Sequence, residues 1–266
     1  MAILNDITLG QYFPVDSFVH RLDPRTKILV ILVAMILFVL TNSILKLLLS
    51  LVIIFGLIGI SHLPLILVLR NLRPFLWLIL LTIGLHLFLT DQDVKIVAIP
   101  WIGIAVSKTG LLNGALYSAR LVILILLATI LTLTTSPMEI TDALDRFLRP
   151  LQKCGVATHD ITMMMTLSLR FIPTLIEEAD KIQKAQISRG ATFEGNFIRR
   201  IKSVIPLILP LFISVFRRAD ELALAMDARC YNGGPGRTSF QSLAFERNDY
   251  YFMAAALCLM ILFVIF

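Results

Sequence analysis

The chain has 266 residues, of which 58% are hydrophobic, and it carries a net charge of +6 and a mean hydropathy of +0.86. So large an apolar fraction excludes an ordinary water-soluble domain, because many of these side chains must face something other than water, and it predicts a membrane protein. In a soluble chain the positive charge would indicate nucleic acid, but in a membrane protein it indicates basic cytoplasmic loops.

The N-terminal region is polar and ends in a basic collar, His20 to Lys27, directly before the unbroken apolar run Ile28 to Leu40. A positive flank beside an apolar run is typical of the cytoplasmic end of a membrane span. Asp23 and Pro24 suit the N-cap and the first helical position of this first span. No small-residue cleavage site closes the run, so we expect no cleaved signal peptide.

Three further apolar runs are predicted to cross the membrane. They extend from Leu47 to Leu69, from Phe75 to Leu89, and between Leu111 and Thr135. The basic turn from Arg70 to Pro74 ends the second span, and Asp91-Gln92-Asp93 begins a loop with Pro100 and Trp101 that we expect outside the cell.

Arg120 lies within the fourth span, where a buried guanidinium costs several kcal/mol unless it reaches the interface or a partner. It is interpreted either as a helix-paired residue or as part of a polar pathway. His62 and His86 have no second ligand nearby in sequence, so packing explains them better than metal binding.

A different kind of helix is predicted from Ser136 onwards. Ser136 is its N-cap, Pro137 takes the first helical position, and Glu139 completes a capping box. Apolar and charged residues fall on opposite faces up to Leu151, which indicates a helix that lies along a surface rather than spanning.

Two long helices are predicted next, and one sequence pattern occurs in both at a constant offset of forty residues. They cover Asp160 to Arg189, bent at Pro173, and Asn196 to Arg229, whose apolar run from Val204 to Phe216 contains Pro206 and Pro210. The matching positions are Ala179/Ala219, Asp180/Asp220, Ala185/Ala225 and Arg189/Arg229. Gly190 follows the first arginine, and Gly233-Gly234-Pro235-Gly236 follows shortly after the second. Two similar helix ends with one permanent cation each predict two acidic sockets on partners, whereas simple dipole complementation does not explain the repeat.

A last apolar run, Tyr250 to Phe266, completes a predicted all-α membrane protein with about five transmembrane helices and cytoplasmic amphipathic coupling helices between the fourth and fifth spans. The predicted regions are a four-span membrane region at 1–135, a coupling-helix region at 136–249 and a C-terminal transmembrane helix at 250–266. Lys and Arg concentrate before the first span, in the second turn and from Arg146 to Arg247. The positive-inside rule therefore places the N-terminus and both arginine-tipped helices in the cytoplasm.

The sequence contains no GxxxxGK[ST], no GxSxG and no HExxH motif, so we expect no catalytic residue and no enzyme activity. Its cysteines, Cys154, Cys230 and Cys258, form no CxxC pair, so we expect free thiols and no metal site. Amphipathic helices that end on arginine indicate mechanical coupling to a cytoplasmic motor instead, since an arginine keeps its charge and binds a carboxylate bidentately.

Three features carry a family resemblance over nearly the whole chain: an N-terminal motif, the order of spans and two arginine tripeptides. The motif consists of Gly10-Gln11-Tyr12, Pro14, Ser17, His20, Leu22-Asp23-Pro24-Arg25 and Lys27. The tripeptides are Ser188-Arg189-Gly190 and Ala228-Arg229-Cys230, and Gly236-Arg237-Thr238 follows the second. On these residues the chain resembles the transmembrane T component, the EcfT family, of energy-coupling factor transporters, which are vitamin and metal uptake systems driven by ABC-type ATPases. Ser188 and Cys230 depart from the family's Ala-Arg-Gly-like pattern, and the departure at Cys230 concerns the geometry of the helix end.

The resemblance implies that the six tripeptide residues bind two ABC-type ATPase subunits, with Arg189 in a groove of one and Arg229 in a groove of the other. It implies a separate membrane-embedded S component, which binds the vitamin. Met163, Met164 and Met165, and Leu207 and Leu211 in the apolar stretch from Val204 to Phe216, suit a contact with it, and packing between helices of this chain is the alternative. ATP and Mg would belong to the ATPases, so this chain is expected to bind no cofactor, no vitamin and no nucleic acid. The protein would be a multi-pass component of the bacterial plasma membrane.

Two other hypotheses stay open. A self-contained carrier would use an intramembrane polar pathway through Arg120 and His86, and it would move solute without ATPase subunits. A membrane-embedded scaffold or enzyme would use His20, Asp23 and Arg25, although Leu22 to Arg25 is read equally well as a turn entering the first span.

Overall fold

The computed structural model describes residues 12–41, 43–89, 95–99, 104–155, 157–191, 197–231 and 245–265. Helices dominate this part of the chain. They are α1 (Phe18–Arg21), α2 (Pro24–Leu40), α3 (Ile44–Ile60), α4 (Leu65–Leu72), α5 (Leu76–Leu89), α6 (Lys108–Thr134), α7 (Pro137–Leu148), α8 (Thr158–Ser188), α9 (Phe197–Ala228) and α10 (Arg247–Ile265). Short 3-10 segments, Arg73–Phe75 and Arg149–Cys154, follow α4 and α7.

Several helices have the composition of membrane spans. Within the described residues, three stretches are long and apolar enough to cross a membrane, namely Leu65–Leu87, Thr109–Thr134 and Arg247–Ile265, and Ile44–Ile60 is a shorter apolar helix. The predicted first span, Ile28 to Leu40, lies within α2. These helices confirm the predicted all-α membrane protein.

One small hairpin interrupts the helical pattern in the loop that was predicted to lie outside. Strands β1 (Lys95–Ile99) and β2 (Ile104–Ser107) pair antiparallel, with Ala98 opposite Ala105 and Ile99 opposite Ile104. Asp91 to Asp93, Pro100 and Trp101 lie outside the described residues. Runs of four and five residues are too short to give a clear alternating pattern, so the sequence alone did not reveal these strands.

The predicted second span, Leu47 to Leu69, is wrong. Helix α3 ends at Ile60, and His62 takes a left-handed φ of 52° before Pro64. A proline disfavours helical geometry at the preceding residue, so the chain cannot continue as one helix there. Arg70 lies within α4 and Arg73 in the 3-10 segment that leads into α5, so the predicted turn is part of a helical stretch. The residues on both sides of Pro64 are apolar, so the sequence pattern resembled one continuous span.

Helix α9 continues through Pro206 and Pro210 over 32 residues, in agreement with the predicted long helix. Each proline removes one backbone hydrogen bond, and the bonds of the neighbouring turns keep the helix continuous. Helix α8 likewise contains Pro173 within its 31 residues.

The start of α7 agrees with the prediction in detail. The Glu139 N–H donates to Ser136 Oγ at 3.3 Å, and the Ser136 N–H donates to Glu139 Oε2 at 3.3 Å. This reciprocal pair is a capping box, which satisfies two N–H groups that have no partner inside the helix. Farther along α7, Thr162 of α8 donates to Asp145 Oδ1 at 2.7 Å and ties the two helices together.

By contacts between residues, the chain divides into two compact units. The membrane unit contains the described residues from 12 to 140 and from 245 to 265, and the helix-pair unit contains those from 141 to 231. The predicted region boundaries after residues 135 and 249 stay predictions.

Helix α6 is the centre of the membrane unit. Ile123 and Leu133 of α6 are completely buried, and Ile54 of α3 packs in the same apolar cluster. On another side, Gly110 and Gly114 let α6 approach α5 closely, since a β-carbon on Gly110 would lie 2.7 Å from the His86 carbonyl oxygen. Small residues spaced four apart allow such close contact between membrane helices.

Candidate functional site

The first arginine tripeptide forms the end of α8. The Gly190 N–H donates to the Ile187 carbonyl at 2.9 Å, and the Ala191 N–H donates to the Gln186 carbonyl at 3.0 Å. This pair of bonds is a Schellman motif, which satisfies carbonyls that the last helical turn leaves open. Arg189 is the C-cap residue, so its side chain extends from the point at which the helix ends.

The second tripeptide forms the same structure at the end of α9. The Cys230 N–H donates to the Asp227 carbonyl at 2.9 Å, and the Tyr231 N–H donates to the Met226 carbonyl at 3.0 Å. Each of these residues lies forty positions after its counterpart in the first motif. The repeat in sequence is therefore a repeat in backbone geometry. The glycines at 233, 234 and 236 lie outside the described residues.

Both motifs place the residue after the arginine in the left-handed region. Gly190 has a φ of 88° and Cys230 has a φ of 54°. A side chain in this conformation costs about 1–2 kcal/mol, which is why glycine is common there. The departure from glycine at Cys230 thus leaves the helix-end geometry unchanged. Cys230 and Cys258 are free thiols, and the Cys154 side chain lies outside what the structure describes.

All six tripeptide residues are exposed. In the described part of the chain, no carboxylate forms an ion pair with Arg189 or Arg229, although Lys184 in the last turns of α8 pairs with Asp180 at 2.5 Å. Two permanent cations at helix ends are therefore available to external carboxylates.

The two arginines lie at opposite ends of the helix pair. The Tyr231 hydroxyl, two residues after Arg229, donates to Met163 Sδ at 2.7 Å, so the end of α9 lies beside the start of α8. Arg189 follows Met163 by 26 residues along α8. At about 1.5 Å per residue this separates the two tips by on the order of 35–40 Å. A single socket cannot hold both.

The five residues expected to contact an S component differ in exposure. Met164 and Met165 are 62% and 38% exposed, whereas Met163 is half-buried against Tyr231. Leu207 and Leu211 are also half-buried.

The more exposed apolar face of α9 lies within the apolar stretch from Val204 to Phe216, on residues other than the expected Leu207 and Leu211. It consists of Ile205, Ile208, Leu209, Phe212, Ile213 and Phe216. We call it the α9 apolar face. Its steps of three and four residues are a helical periodicity that could have identified it.

The N-terminal motif forms a buried polar joint at the start of α2. Asp23 is the N-cap, as predicted, and its carboxylate accepts from the Arg25 N–H at 2.9 Å and from Arg25 Nη2 at 2.7 Å. The Arg25 guanidinium also lies 4.1 Å from the centre of the Phe245 ring. Aromatic contact and bidentate pairing together hold this arginine in place.

Asp249 completes the joint and was not identified from the sequence. It is 1% exposed, and its two carboxylate oxygens accept from the N–H groups of Asp23 and Glu246, each at 2.8 Å. A carboxylate at the third position of α10 that reaches back to the cap residue is half of a capping box, and this was the available sequence signal.

Two cations connect α2 and α6 at both ends of α2. Lys27, which is 2% exposed, donates to the Thr134 carbonyl at the end of α6 at 3.0 Å. Arg120 of α6 donates to the Thr41 carbonyl, which caps α2. Each helix thus supplies a cation to the carboxyl end of the other, where the helix dipole is negative.

The two residues of the carrier hypothesis, His86 and Arg120, both contact the ring of Tyr117. The His86 and Tyr117 rings are 4.5 Å apart, and the Arg120 guanidinium lies 5.1 Å from the same Tyr117 ring. With the bond to Thr41, these contacts support the interpretation of Arg120 as a helix-paired residue.

His20 makes separate bonds from those of Asp23 and Arg25. Its Nδ1 lies 2.6 Å from Ser17 Oγ, and its Nε2 lies 3.1 Å from the Phe13 carbonyl oxygen. Burial, and next the charge of Lys27, lower the pKa of His20 below its usual value. The three residues of the scaffold or enzyme hypothesis therefore act as separate structural contacts here.

Comparison with known proteins agrees with this architecture. The family model described as CbiQ, cobalt transport protein, matches residues 16–240. The energy-coupling factor transporter transmembrane protein EcfT of Acidaminococcus fermentans is 49% identical over 250 residues, which cover 93% of this chain and 91% of the relative. EcfT of Clostridium kluyveri is 45% identical over 98% of this chain and 95% of its own length. EcfT of Bacillus subtilis is 41% identical over 93% of each chain.

Proposed function

This chain belongs to the CbiQ and EcfT family of membrane transport proteins, and we propose that it is the energy-coupling subunit of an ECF-type ABC transporter. In this role it links ATP binding and hydrolysis by two cytoplasmic ATPase subunits to the movement of an S component during vitamin uptake. The observation that carries the proposal is the repeated Schellman end with an exposed arginine on both α8 and α9.

Each arginine tip docks into an acidic groove on one ATPase. The planar guanidinium forms two parallel hydrogen bonds to a carboxylate, and its charge persists at every physiological pH. The placement of Arg189 and Arg229 at opposite ends of the helix pair supports one groove on each of two subunits. Two matching helix ends suit two matching grooves.

Helices α8 and α9 carry the motion of the ATPases to the S component. Helices of 31 and 32 residues that pack along each other move as stiff elements. Met164, Met165 and the α9 apolar face supply exposed apolar surface for the S component. Methionine is flexible and polarisable, so it repacks against a partner that moves or differs. Met163, Leu207 and Leu211 are half-buried and add a smaller exposed area to this surface.

The chemistry of the transporter belongs to its partners under this proposal. The ATPases bind ATP and Mg, the S component binds the vitamin, and this chain has no catalytic role. The N-terminus and both arginine tips face the cytoplasm of a bacterial cell, since basic residues concentrate beside them.

Charge reversal at the tips tests the proposal. Arg189→Glu and Arg229→Glu place a carboxylate against each acidic groove, so we expect each variant to retain less ATPase on purification and the double variant to lose vitamin uptake. Arg217→Glu is the matched control, because Arg217 is an exposed arginine of α9 away from its tip. Normal ATPase retention and uptake in the double variant would falsify the coupling role.

A second candidate function is a self-contained carrier, whose pathway would use the polar group that His86, Tyr117 and Arg120 form. The purified chain reconstituted alone in liposomes separates the two functions. We expect no solute transport without the ATPases, and transport by the chain alone would support the carrier.

A further inference from the structure

We propose that Arg70 and Arg73 bind the headgroup of an anionic phospholipid at one face of the membrane. Arg70 lies in the last turn of α4, and Arg73 begins the 3-10 segment before α5. Both side chains belong to the candidate membrane span Leu65–Leu87 and both are exposed.

The two arginines form one stripe with apolar residues on either side. Ile66, Arg70, Arg73 and Trp77 follow one another at steps of four, three and four residues, which places them along one side of a helical path. Ile66 is 82% exposed and Trp77 is 74% exposed. The basic pair is therefore flanked by apolar surface that is open to lipid.

The part of the chain that the structure describes offers no counter-charge to this pair. In the described residues no carboxylate forms an ion pair with Arg70 or Arg73, whereas Arg25 is paired with Asp23 and Arg149 with Asp145. A guanidinium that faces hydrocarbon without a partner is costly, so it must reach either the headgroup layer or another molecule.

The length of the adjoining apolar run places the pair in the headgroup layer. From Phe75 to Leu89 the chain is apolar apart from Thr82 and His86, and this run measures about 22 Å at about 1.5 Å per residue. The hydrocarbon core is about 30 Å thick, which exceeds the length of this run by roughly 8 Å. The edge of the core therefore lies within about two helical turns of Arg73. Arginine side chains extend along the helix to reach that edge, and exposed aromatic residues such as Trp77 and Phe75 favour the same region.

A phospholipid can bind both the charged and the apolar residues of this stripe, which favours a phospholipid over a protein carboxylate as the ligand. Its phosphate accepts bidentate hydrogen bonds from guanidinium groups, and its acyl chains cover Trp77 and the exposed apolar residues of α5 such as Leu80. An acidic groove on a protein would pair with the two arginines but would not cover the adjoining apolar surface.

Lipid binding to the full-length protein tests the proposal. Native mass spectrometry of the purified chain, titrated with phosphatidylglycerol in detergent, measures the affinity. We expect Arg70→Gln and Arg73→Gln each to weaken binding about fivefold and the double variant about twenty-five-fold. Arg21→Gln, which removes an arginine that is 73% exposed and pairs with Asp16, is expected to bind as the wild type does. Glutamine keeps a polar side chain and similar helix propensity without the charge, and equal thermal unfolding of all variants checks the fold.

Two further arms separate the possible ligands. Phosphatidylcholine is expected to bind all variants alike, and excess inorganic phosphate is expected not to displace phosphatidylglycerol from the wild type. The proposal is overturned if the double variant binds phosphatidylglycerol as tightly as the wild type does, or if inorganic phosphate displaces the lipid. It is also overturned if the double variant keeps its lipid affinity but loses an S component on purification, because the arginines then face a protein.

Discussion

The Asp249 carboxylate accepts a hydrogen bond of 2.8 Å from the backbone N–H of Asp23, which lies 226 residues earlier in the chain. This bond fastens the start of the last helix to the start of α2. Both carboxylates are buried, and each satisfies backbone N–H groups at a helix start, so the two caps form one joint.

Removing the Asp249 carboxylate should destabilise the membrane unit. Asp249→Ala leaves the N–H groups of Asp23 and Glu246 without this acceptor, and the buried one at Asp23 costs about 1–3 kcal/mol when it is unsatisfied. We expect a clearly lower Tm in detergent for Asp249→Ala and a smaller loss for Asp249→Asn, which keeps one acceptor. Asp16→Ala is the control, since the Asp16 side chain is 92% exposed and its ion pair is weak. An unchanged Tm for Asp249→Ala would contradict the structural role of the joint.

Close packing of α5 on α6 predicts opposite effects for two glycine substitutions. In Gly110→Ala the new β-carbon meets the backbone oxygen of His86 at 2.7 Å, so we expect a loss of about 1–3 kcal/mol from overpacking. In Gly84→Ala nothing lies within 4 Å of the new β-carbon, and the better helix propensity of alanine should stabilise by about 0.5–1 kcal/mol. Thermal unfolding measures both, and equal effects would rule out the close approach.

The left-handed residues at the two tips predict an asymmetry between the tips. Cys230→Gly relieves an unfavourable φ of 54°, so after the entropy cost of glycine we expect a gain of up to about 1 kcal/mol and intact ATPase binding. Gly190→Ala introduces the same strain at a φ of 88° and should cost about 1–2 kcal/mol. Unfolding of the purified chain, with ATPase co-purification, measures both. A loss of stability in Cys230→Gly would show that its side chain makes a compensating contact.

The α9 apolar face predicts a selective loss of one partner. Phe212 and Phe216 are 58% and 55% exposed and their rings lie 4.6 Å apart, so they form an aromatic anchor. Replacing both by alanine should weaken binding of the S component by about 2 kcal/mol or more, as for a contact hot spot, and leave ATPase binding unchanged. Leu224→Ala is the control, because Leu224 is 69% exposed on the same helix but outside the face. Co-purification of each partner measures the effect, and loss of both partners would indicate misfolding instead.

His20 predicts a loss of stability at mildly acidic pH. Its pKa is lowered in the folded state, chiefly by burial, from the ordinary value of 6.5, so the unfolded chain binds the proton more tightly. Protonation therefore favours unfolding once the pH falls below about 6.5, and the loss is complete below the folded pKa. Comparison of Tm between pH 7.5 and 5 should show a larger decrease for the wild type than for His20→Gln, which cannot titrate. Equal decreases in the two proteins would assign the effect to other groups.

The features that sequence patterns predicted well are local ones. The capping box at Ser136 and Glu139, the N-cap at Asp23 and the ends of α8 and α9 each depend on residues within one or two turns. The break at Pro64 was missed, because apolar residues on both sides of it resemble a continuous span. Exposure also escaped prediction, since the sequence does not show which side of α9 the neighbouring helix covers.

Composition and local periodicity alone established an all-α membrane protein with two matching arginine-tipped helices, because burial in lipid and helix capping act on neighbouring residues. Only the tertiary structure showed that Asp249 accepts a hydrogen bond from Asp23, and that Lys27 and Arg120 donate hydrogen bonds between α2 and α6. It also showed that Arg189 and Arg229 lie at opposite ends of the helix pair. Those relationships depend on which distant segments pack against each other. Bringing such segments together has an entropic cost that depends on the whole intervening chain, so no short stretch of residues determines the packing.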